Sequence, residues 1–416
     1  LDWLGPPSAA SDQQEKETPV SVLQGIKVLD LTRILAGPWS TMALADLGAE
    51  VWKIESLDGG DDTRSWMPPA VQGISTYYLT ANRNKQSLAI DLRTPAGRQL
   101  ILDLAAEADV VVDNFLPASL KRLGLDYEAL SAINPRLIHC SITGYGQNNP
   151  LENRPGYDFI IQAESGFMSI TGEKDGEPMR LGVAFIDLVT GMNAVQGILA
   201  ALYEREKSGR GQAVDVALSD SAMHFLANIA TGYLNTGKVP QRFGNAHPSI
   251  VPYQLFNTAD GRIALAVGND EQYRRLCQDV LDRPELYDDP RFTQNRGRTE
   301  HRDALLPLLQ AAFKGWTSAT LIAALRERGI PVGQVKTVAQ AFDSEPARYR
   351  DLVISAEHPL AGEVRMVRSP LRLSRTPAVA PAAPPLHGQH TDSVLSRVLG
   401  KSEAELAGLR QAGVIG

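Results

Sequence analysis

The feature that most constrains this chain is a series of short apolar segments, each of strand length and each handed on to a helical pattern. Residues 25–30 (GIKVLD), 49–55 (AEVWKIE), 87–92 (SLAIDL), 109–113 (DVVVD) and 137–142 (LIHCSI) read as buried strands. Between them run helical patterns. One follows Ala36, Gly37 and Pro38, with proline near its start and Gly48 at its end; another is the amphipathic stretch 95–106. Short apolar strands alternating with helices point to a parallel sheet of the doubly wound, Rossmann-like α/β kind. Ligands in such sheets bind beyond the carboxyl ends of the strands, where Asn114, Phe115, residues 143–145 and Asp187 fall.

After residues 214–218 (VDVAL) and a helix to about Asn235 the pattern changes. Residues 253–256 and 262–267 alternate around the turn-like 257–261 (NTADG), which is a hairpin signal. Helical patterns over 272–281, 300–314 and 317–328 complete a smaller α+β domain. A strand at 364–367, a Pro/Ala-rich connector at 377–385 and a helix over 391–399 close the chain. The organisation expected is a flexible segment at 1–19, a large domain over 20–220, a small one over 221–345, and a return segment at 346–416 that completes the large domain.

A chain of 416 residues exceeds one ordinary core and points to about two or three domains. Cys140 and Cys277 form no CxxC pair, so neither a disulfide framework nor a zinc site is expected. The net charge of −7, with acids and bases interspersed, argues against nucleic acid as a partner. No apolar run is read as reaching the roughly 18 residues a membrane span needs, so no membrane partner is expected. The compartment expected is the cytoplasm or, given that the sequence opens on Leu1, a mitochondrial matrix form that has lost a leader.

Asp187 is a lone carboxylate in the apolar stretch 181–192 (LGVAFIDLVTGM), read as a strand-like run giving way to a helix over 193–203. An acid at that junction is either the cap of the helix or a reactive group aimed into a cleft, serving as nucleophile or base. No dinucleotide GxGxxG, Walker loop, HExxH, GxSxG or EF-hand spacing occurs, and no metal is expected. Arg93, Arg122 and Arg154 follow strands or open loops on the ligand side; each is either a phosphate partner or a solvated surface arginine. His247 is either a base or a loop histidine that holds a turn.

Several ordered motifs carry a further reading: VLDLT at 28–32, AGP at 36–38, GAEVWKIE at 48–55, GDDTR at 60–64, NRNK at 82–85, DNF at 113–115, SITGYGQ at 141–147, GYD at 156–158 and SGRGQ at 208–212. With the Asp187 segment they resemble the class III coenzyme A transferase (CaiB/BaiF) family from about Leu23 onward. The resemblance implies that Asp187 is the nucleophile of a CoA transfer that passes through an aspartyl anhydride and an aspartyl-CoA thioester. It implies a CoA thioester as substrate with no permanently bound cofactor, and a ring-shaped chain in an interlocked homodimer. Position by position, the CoA contacts it implies are Leu35, Ala36, Ile90, Asp91, Leu92, Arg93, Asn114, Phe115, Arg122, and the stretch from Arg154 through Gly156 and Tyr157 to Asp158.

Within the family the chain most resembles the succinyl-CoA:glutarate group of dicarboxylate enzymes, on STYYL at 75–79, SIVPYQ at 249–254 and PLHGQHT at 385–391. For the distal carboxylate of such an acceptor, Arg33, Arg64 and His247 are the candidate partners. The formyl-CoA branch resembles it less, since it has glutamine where this chain has Leu35 and a run of glycines where this chain has 243–254. Acyl-CoA racemases of the same fold typically have histidine in place of Tyr157, whose phenol, with a pKa of about 10, is a poor base near neutrality. Two alternatives stay open beside transfer: an acyl-CoA racemase or isomerase, and a CoA-binding protein without catalysis.

Overall fold

The computed structural model describes residues 21–416, so the flexible segment expected at 1–19 lies outside the described residues. Six strands form the main sheet: β1 (Lys27–Asp30), β2 (Glu50–Glu55), β3 (Lys85–Ala89), β4 (Val110–Asp113), β5 (Ile138–Thr143) and β6 (Ala213–Ala217). All neighbours are parallel, in the order β3-β2-β1-β4-β5-β6. This is the doubly wound order, whose direction of winding reverses between β1 and β4 and opens a crevice there.

Alternation along the strands divides the core into two layers. Val28, Val110, Val112, Ile138 and Cys140 face the Ala36–Asp46 and Phe185–Ser208 helices. Leu29, Trp52, Leu88 and Val111 face the Pro95–Glu107 helix and the C-terminal helices Thr391–Leu399 and Glu403–Gln411. The chain end also covers the outer edge of β3: His390 N–H donates to Ser87 O (2.9 Å), Ala89 N–H to Thr391 Oγ1 (3.1 Å), and Gly416 N–H to Ala89 O (3.1 Å).

A second, antiparallel sheet joins Tyr253–Asn257, Arg262–Ala266 and Val332–Gln334 over a separate apolar cluster that includes Phe256, Tyr273, Leu309 and Leu325. A hairpin of Val353–His358 and Gly362–Val367 packs through Val364 and Met366 on Leu79.

Two expectations are corrected. The Phe185–Ser208 helix has 24 residues and a mean hydropathy of 1.5 in its most apolar window, enough by length and composition to span a bilayer. Its Ile186, Val189, Ala194, Ile198 and Ala201 are instead buried in the protein interior. Residues 181–184 form no strand, and the helix starts at Phe185, eight residues before the expected 193. The reason is a long-range partner: the amides of Ile186 and Asp187 are taken by the Asp158 carboxylate, which starts the helix within the apolar run.

Candidate functional site

A cleft of about 340 Å³ opens at the carboxyl ends of β1, β4 and β5, lined by Leu35, Ala36, Asn114, Phe115, Gly144, Gly156, Tyr157 and Asp187 among others. A second cleft of about 290 Å³, lined by Ile90, Asp91, Leu92 and Arg93, shares Arg33 and Phe115 with the first. Glycine is required where loops meet in the first cleft. A Cβ on Gly156 would stand 2.5 Å from Gly144 Cα, so the loop after β5 and the loop before Asp158 touch backbone to backbone.

Asp187 sits in the first turn of its helix, half-buried in the cleft wall. It is not the helix cap: the N-cap is Ala184, with no side-chain bond. The capping role belongs to Asp158, which is 7% exposed and accepts from Ile186 N–H at 2.7 Å and Asp187 N–H at 3.3 Å. Gln162 Nε2 secures the other Asp158 oxygen at 2.5 Å, and Gln162 Oε1 accepts from Leu181 N–H at 2.9 Å. Those helix amides therefore serve Asp158 and give Asp187 no help. Among the described residues Asp187 has no ion-pair or side-chain hydrogen-bond partner, and desolvation together with the neighbouring Asp158 charge pushes its carboxyl up to about 7.

The helix is pressed onto the loop after β1. A Cβ on Gly191, one turn beyond Asp187, would lie 2.7 Å from Ala36 O, so glycine sets how closely the carboxylate's helix approaches Leu35 and Ala36. Among the described residues no acceptor takes the amides of Leu35, Ala36 and Gly37, at the start of a helix that has no side-chain cap. An unpartnered carboxylate beside free main-chain donors is an arrangement for attacking a carbonyl and stabilising the oxyanion that results.

A family model for CoA-transferase family III matches residues 23–391. The chain belongs to CoA-transferase family III. It is 41% identical over 413 residues to the succinyl-CoA:glutarate CoA-transferase of Homo sapiens, covering 99% of this chain and 93% of the relative. It is 42% identical over 394 residues to the succinate–glutarate CoA-transferase of Agrobacterium fabrum, covering 93% and 98%. A crystal structure of a CAIB/BAIF family protein from Brucella suis superimposes with a TM-score of 0.82 at 43% identity, covering 91% of this chain and 100% of that one. The protein is therefore a class III CoA-transferase, whose substrates are CoA thioesters and carboxylates.

The residues singled out from the sequence of this transferase fall in three groups. Leu35, Ala36, Asn114, Phe115, Gly156, Tyr157 and Asp187 share the first cleft, and Ile90 to Arg93 line the second. Arg122 is exposed at the end of the Pro117–Leu123 helix, one turn beyond the cleft residue Ser119, with no carboxylate in ion-pair range among the described residues. Arg154 and Asp158 line neither cleft: Arg154 pairs with Glu164 and lies over the Tyr145 ring, while Asp158 works from beneath. Arg93 is shared between Asp91 (2.9 Å) and Asp58 (3.1 Å), so a phosphate there would compete with two carboxylates.

Of the three candidate partners for an acceptor carboxylate, Arg64 is withdrawn. Its guanidinium is taken by both oxygens of Glu55 at 2.7 Å, by Tyr78 Oη at 2.6 Å and by Pro385 O at 3.2 Å. Arg33 lines both clefts and its exposed side chain pairs with Asp62 at 3.2 Å. His247, in the loop before the second sheet, meets the Tyr253 ring at a tilt with centroids 5.3 Å apart and accepts from Ser249 N–H at 3.0 Å. Tyr77, which the sequence offered only inside a family string, stands near enough to Asp187 for that charge, after desolvation, to push its phenol upward. Trp66 meets Tyr77 edge-on at 5.0 Å.

Proposed function

We propose that this transferase moves CoA from succinyl-CoA, or a similar acyl-CoA, to a small dicarboxylate such as glutarate, with Asp187 as the nucleophile. The observation that carries the reading is the Asp187 carboxyl itself, half-buried, without a partner among the described residues, raised to about 7, and sharing one cleft with Leu35 and Ala36, whose amides no described acceptor takes. Ionised Asp187 attacks the thioester carbonyl carbon, the C–S bond breaks, and a mixed anhydride and CoA thiolate result. The thiolate attacks the Asp187 acyl carbon, releasing the donor acid and leaving an aspartyl-CoA thioester. The acceptor carboxylate attacks that thioester, and the freed thiolate then takes the acceptor's acyl group from the second anhydride, restoring Asp187. Each tetrahedral step places charge on an oxygen that main-chain donors can hold. The anhydride conserves the activation of the thioester only where water is kept out, which suits a carboxylate set into a cleft wall.

The CoA moiety would lie across both clefts, with Arg122 and Arg93 meeting phosphates at their rims. Arg33 is the cation best placed for a distal carboxylate. A second copy of the chain, interlocked with the first, would cover the apolar side chains exposed around the site, among them Tyr157, Phe159, Met179, Val183 and Met192.

Incubation with succinyl-CoA and glutarate, followed by mass spectrometry of the thioesters, tests the reading. Glutaryl-CoA is expected, and is expected to vanish in Asp187→Ala. A variant that still makes it at the wild-type rate would refute the assignment of Asp187.

A further inference from the structure

The loop joining β1 to the Ala36–Asp46 helix is tied down at three successive amides. Thr32 N–H donates to Asp30 Oδ1 at 2.9 Å, Arg33 N–H to Asn114 Oδ1 at 3.1 Å, and Ile34 N–H to Asp61 Oδ1 at 3.3 Å. The acceptors come from the end of β1, the end of β4 and the loop after β2, so three strand ends converge on one loop. Asn114 also donates through Nδ2 to Arg33 O at 2.8 Å. Ile34, at the third tether, has φ +75°, a left-handed conformation that a β-branched residue adopts only when its surroundings hold it there. Leu35 and Ala36 follow directly, in the wall of the cleft that Asp187 also lines.

Asp61 is itself fixed. Its Oδ2 pairs with Lys53 Nζ at 2.8 Å, with both side chains fully buried, and Lys53 also donates to Thr32 O at 2.9 Å. Its main-chain N–H donates to Glu55 Oε2 at 2.9 Å. A buried ion pair is weak evidence of a stabilising device, because desolvation offsets the attraction. This one stands under the loop that carries the free amides.

We propose that Asp61 is a positioning residue for the transfer reaction: by holding Ile34 left-handed it aims the free amides of Leu35 and Ala36 at the acyl oxygen beside Asp187. The proposal rests on reading Asp187 as the nucleophile. It predicts that loss of the tether lowers kcat while leaving the binding of the CoA thioester nearly intact.

Two double variants test the tether, and because Asp61 Oδ1 also accepts from Thr63 N–H at 3.0 Å and Thr63 Oγ1 at 2.7 Å, rescue through Ile34 tells loss of the tether from loss of those bonds. Lys53→Met/Asp61→Asn and Lys53→Met/Asp61→Leu remove the same ion pair and bury no lone charge, but only the first leaves an oxygen for Ile34 N–H. The Leu pair should show a kcat at least about tenfold below that of the Asn pair, with KM for succinyl-CoA within about threefold between the two. Adding Ile34→Gly to the Leu pair should restore at least about threefold, since glycine takes positive φ without strain. Equal kcat in the two pairs, or a loss that Ile34→Gly leaves untouched, overturns the proposal. If the Leu pair does not fold, Ile34→Pro reads the same loop by forbidding positive φ with the ion pair intact. Its kcat should drop at least about tenfold, and an unchanged kcat overturns the proposal. Asp187→Asn run alongside separates the two readings. Full activity there sinks the nucleophile and the tether together, whereas an inactive Asp187→Asn with equal double variants sinks the tether alone.

Discussion

Asp158 supplies the charge that stands against Asp187, so removing that charge should move the pH dependence of the reaction. The Asp187 carboxyl is raised from 3.8 to about 7, with desolvation the larger cause and Asp158 the second. Asp158 therefore accounts for less than half of a rise of about 3, and Asp158→Asn should lower the acid limb of kcat/KM by up to about 1.5 pH units. Asparagine keeps an oxygen for the amides of Ile186 and Asp187, so the start of the helix is retained. At pH 6 about a tenth of the wild-type carboxyl is ionised; with a limb near pH 6 the variant would have about half, a gain of about fivefold relative to its own plateau. The assay is kcat/KM for succinyl-CoA with glutarate as acceptor, from pH 5 to 9, following glutaryl-CoA, with a thermal melt to show that the variant is folded. An acid limb that stays at about 7 or moves up, in a folded variant, would refute the electrostatic argument.

Because folding raises the Asp187 pKa, the native chain binds more protons than the unfolded one between about pH 4 and 7, and stability falls as pH rises through that window. Asp187→Asn should therefore be more stable than wild type at pH 8, by at most about 4 kcal/mol and by about 1–2 after allowing for solvent in the cleft, with the gain gone near pH 4. Urea midpoints at the two pH values check this. Gly191→Ala places a methyl 2.7 Å from Ala36 O, so it should cost about 1–3 kcal/mol and lower kcat more than it raises KM, read from melts and steady-state kinetics. Arg122→Ala should raise KM for succinyl-CoA by about fivefold and leave kcat and the KM for glutarate unchanged, because a phosphate contact at the cleft rim is remote from the acyl carbon.

The parts of the fold that were legible in the sequence were those written locally. Strands buried on both faces read as continuous apolar runs, which is why β1, β2, β4 and β5 stood out, and the 253–267 hairpin stood out by alternation around its turn. What stayed hidden depends on partners far along the chain. The Asp187 helix begins at Phe185 because of Asp158, 28 positions before Ile186, and no local propensity carries that contact. The GYD and GDDTR strings were visible, but nothing in them shows that Asp158 and Asp61 accept from main-chain amides. Arg64 is a candidate for the acceptor carboxylate by its sequence position, but Glu55 and Tyr78, not its neighbours in sequence, take its guanidinium.

That hidden pairing is also what distinguishes the candidate nucleophile. Burial alone would raise a carboxyl near the carboxyl ends of these strands, yet Asp30, Glu55 and Asp61 are held down. Asp30, despite complete burial, is lowered to about 2 by Lys85 and Lys53 with help from Thr32 and Thr41. Glu55 is desolvated as well, but Arg64 and Lys53 bring it below its ordinary value; Asp61, also desolvated, is brought down by Lys53 and Thr63. These acids have spent their charge on the frame and have little reactivity left. Asp187 is desolvated too, but its neighbour is another acid, so its charge is left uncompensated and its carboxyl rises. A carboxylate poised near neutrality is a better nucleophile than one held near 2, and it regains more by forming a neutral acyl derivative. The same strand ends thus produce both outcomes: where a cation reaches the acid a structural pair forms, and where none does, at the wall of the switch-point cleft, the acid is left for chemistry.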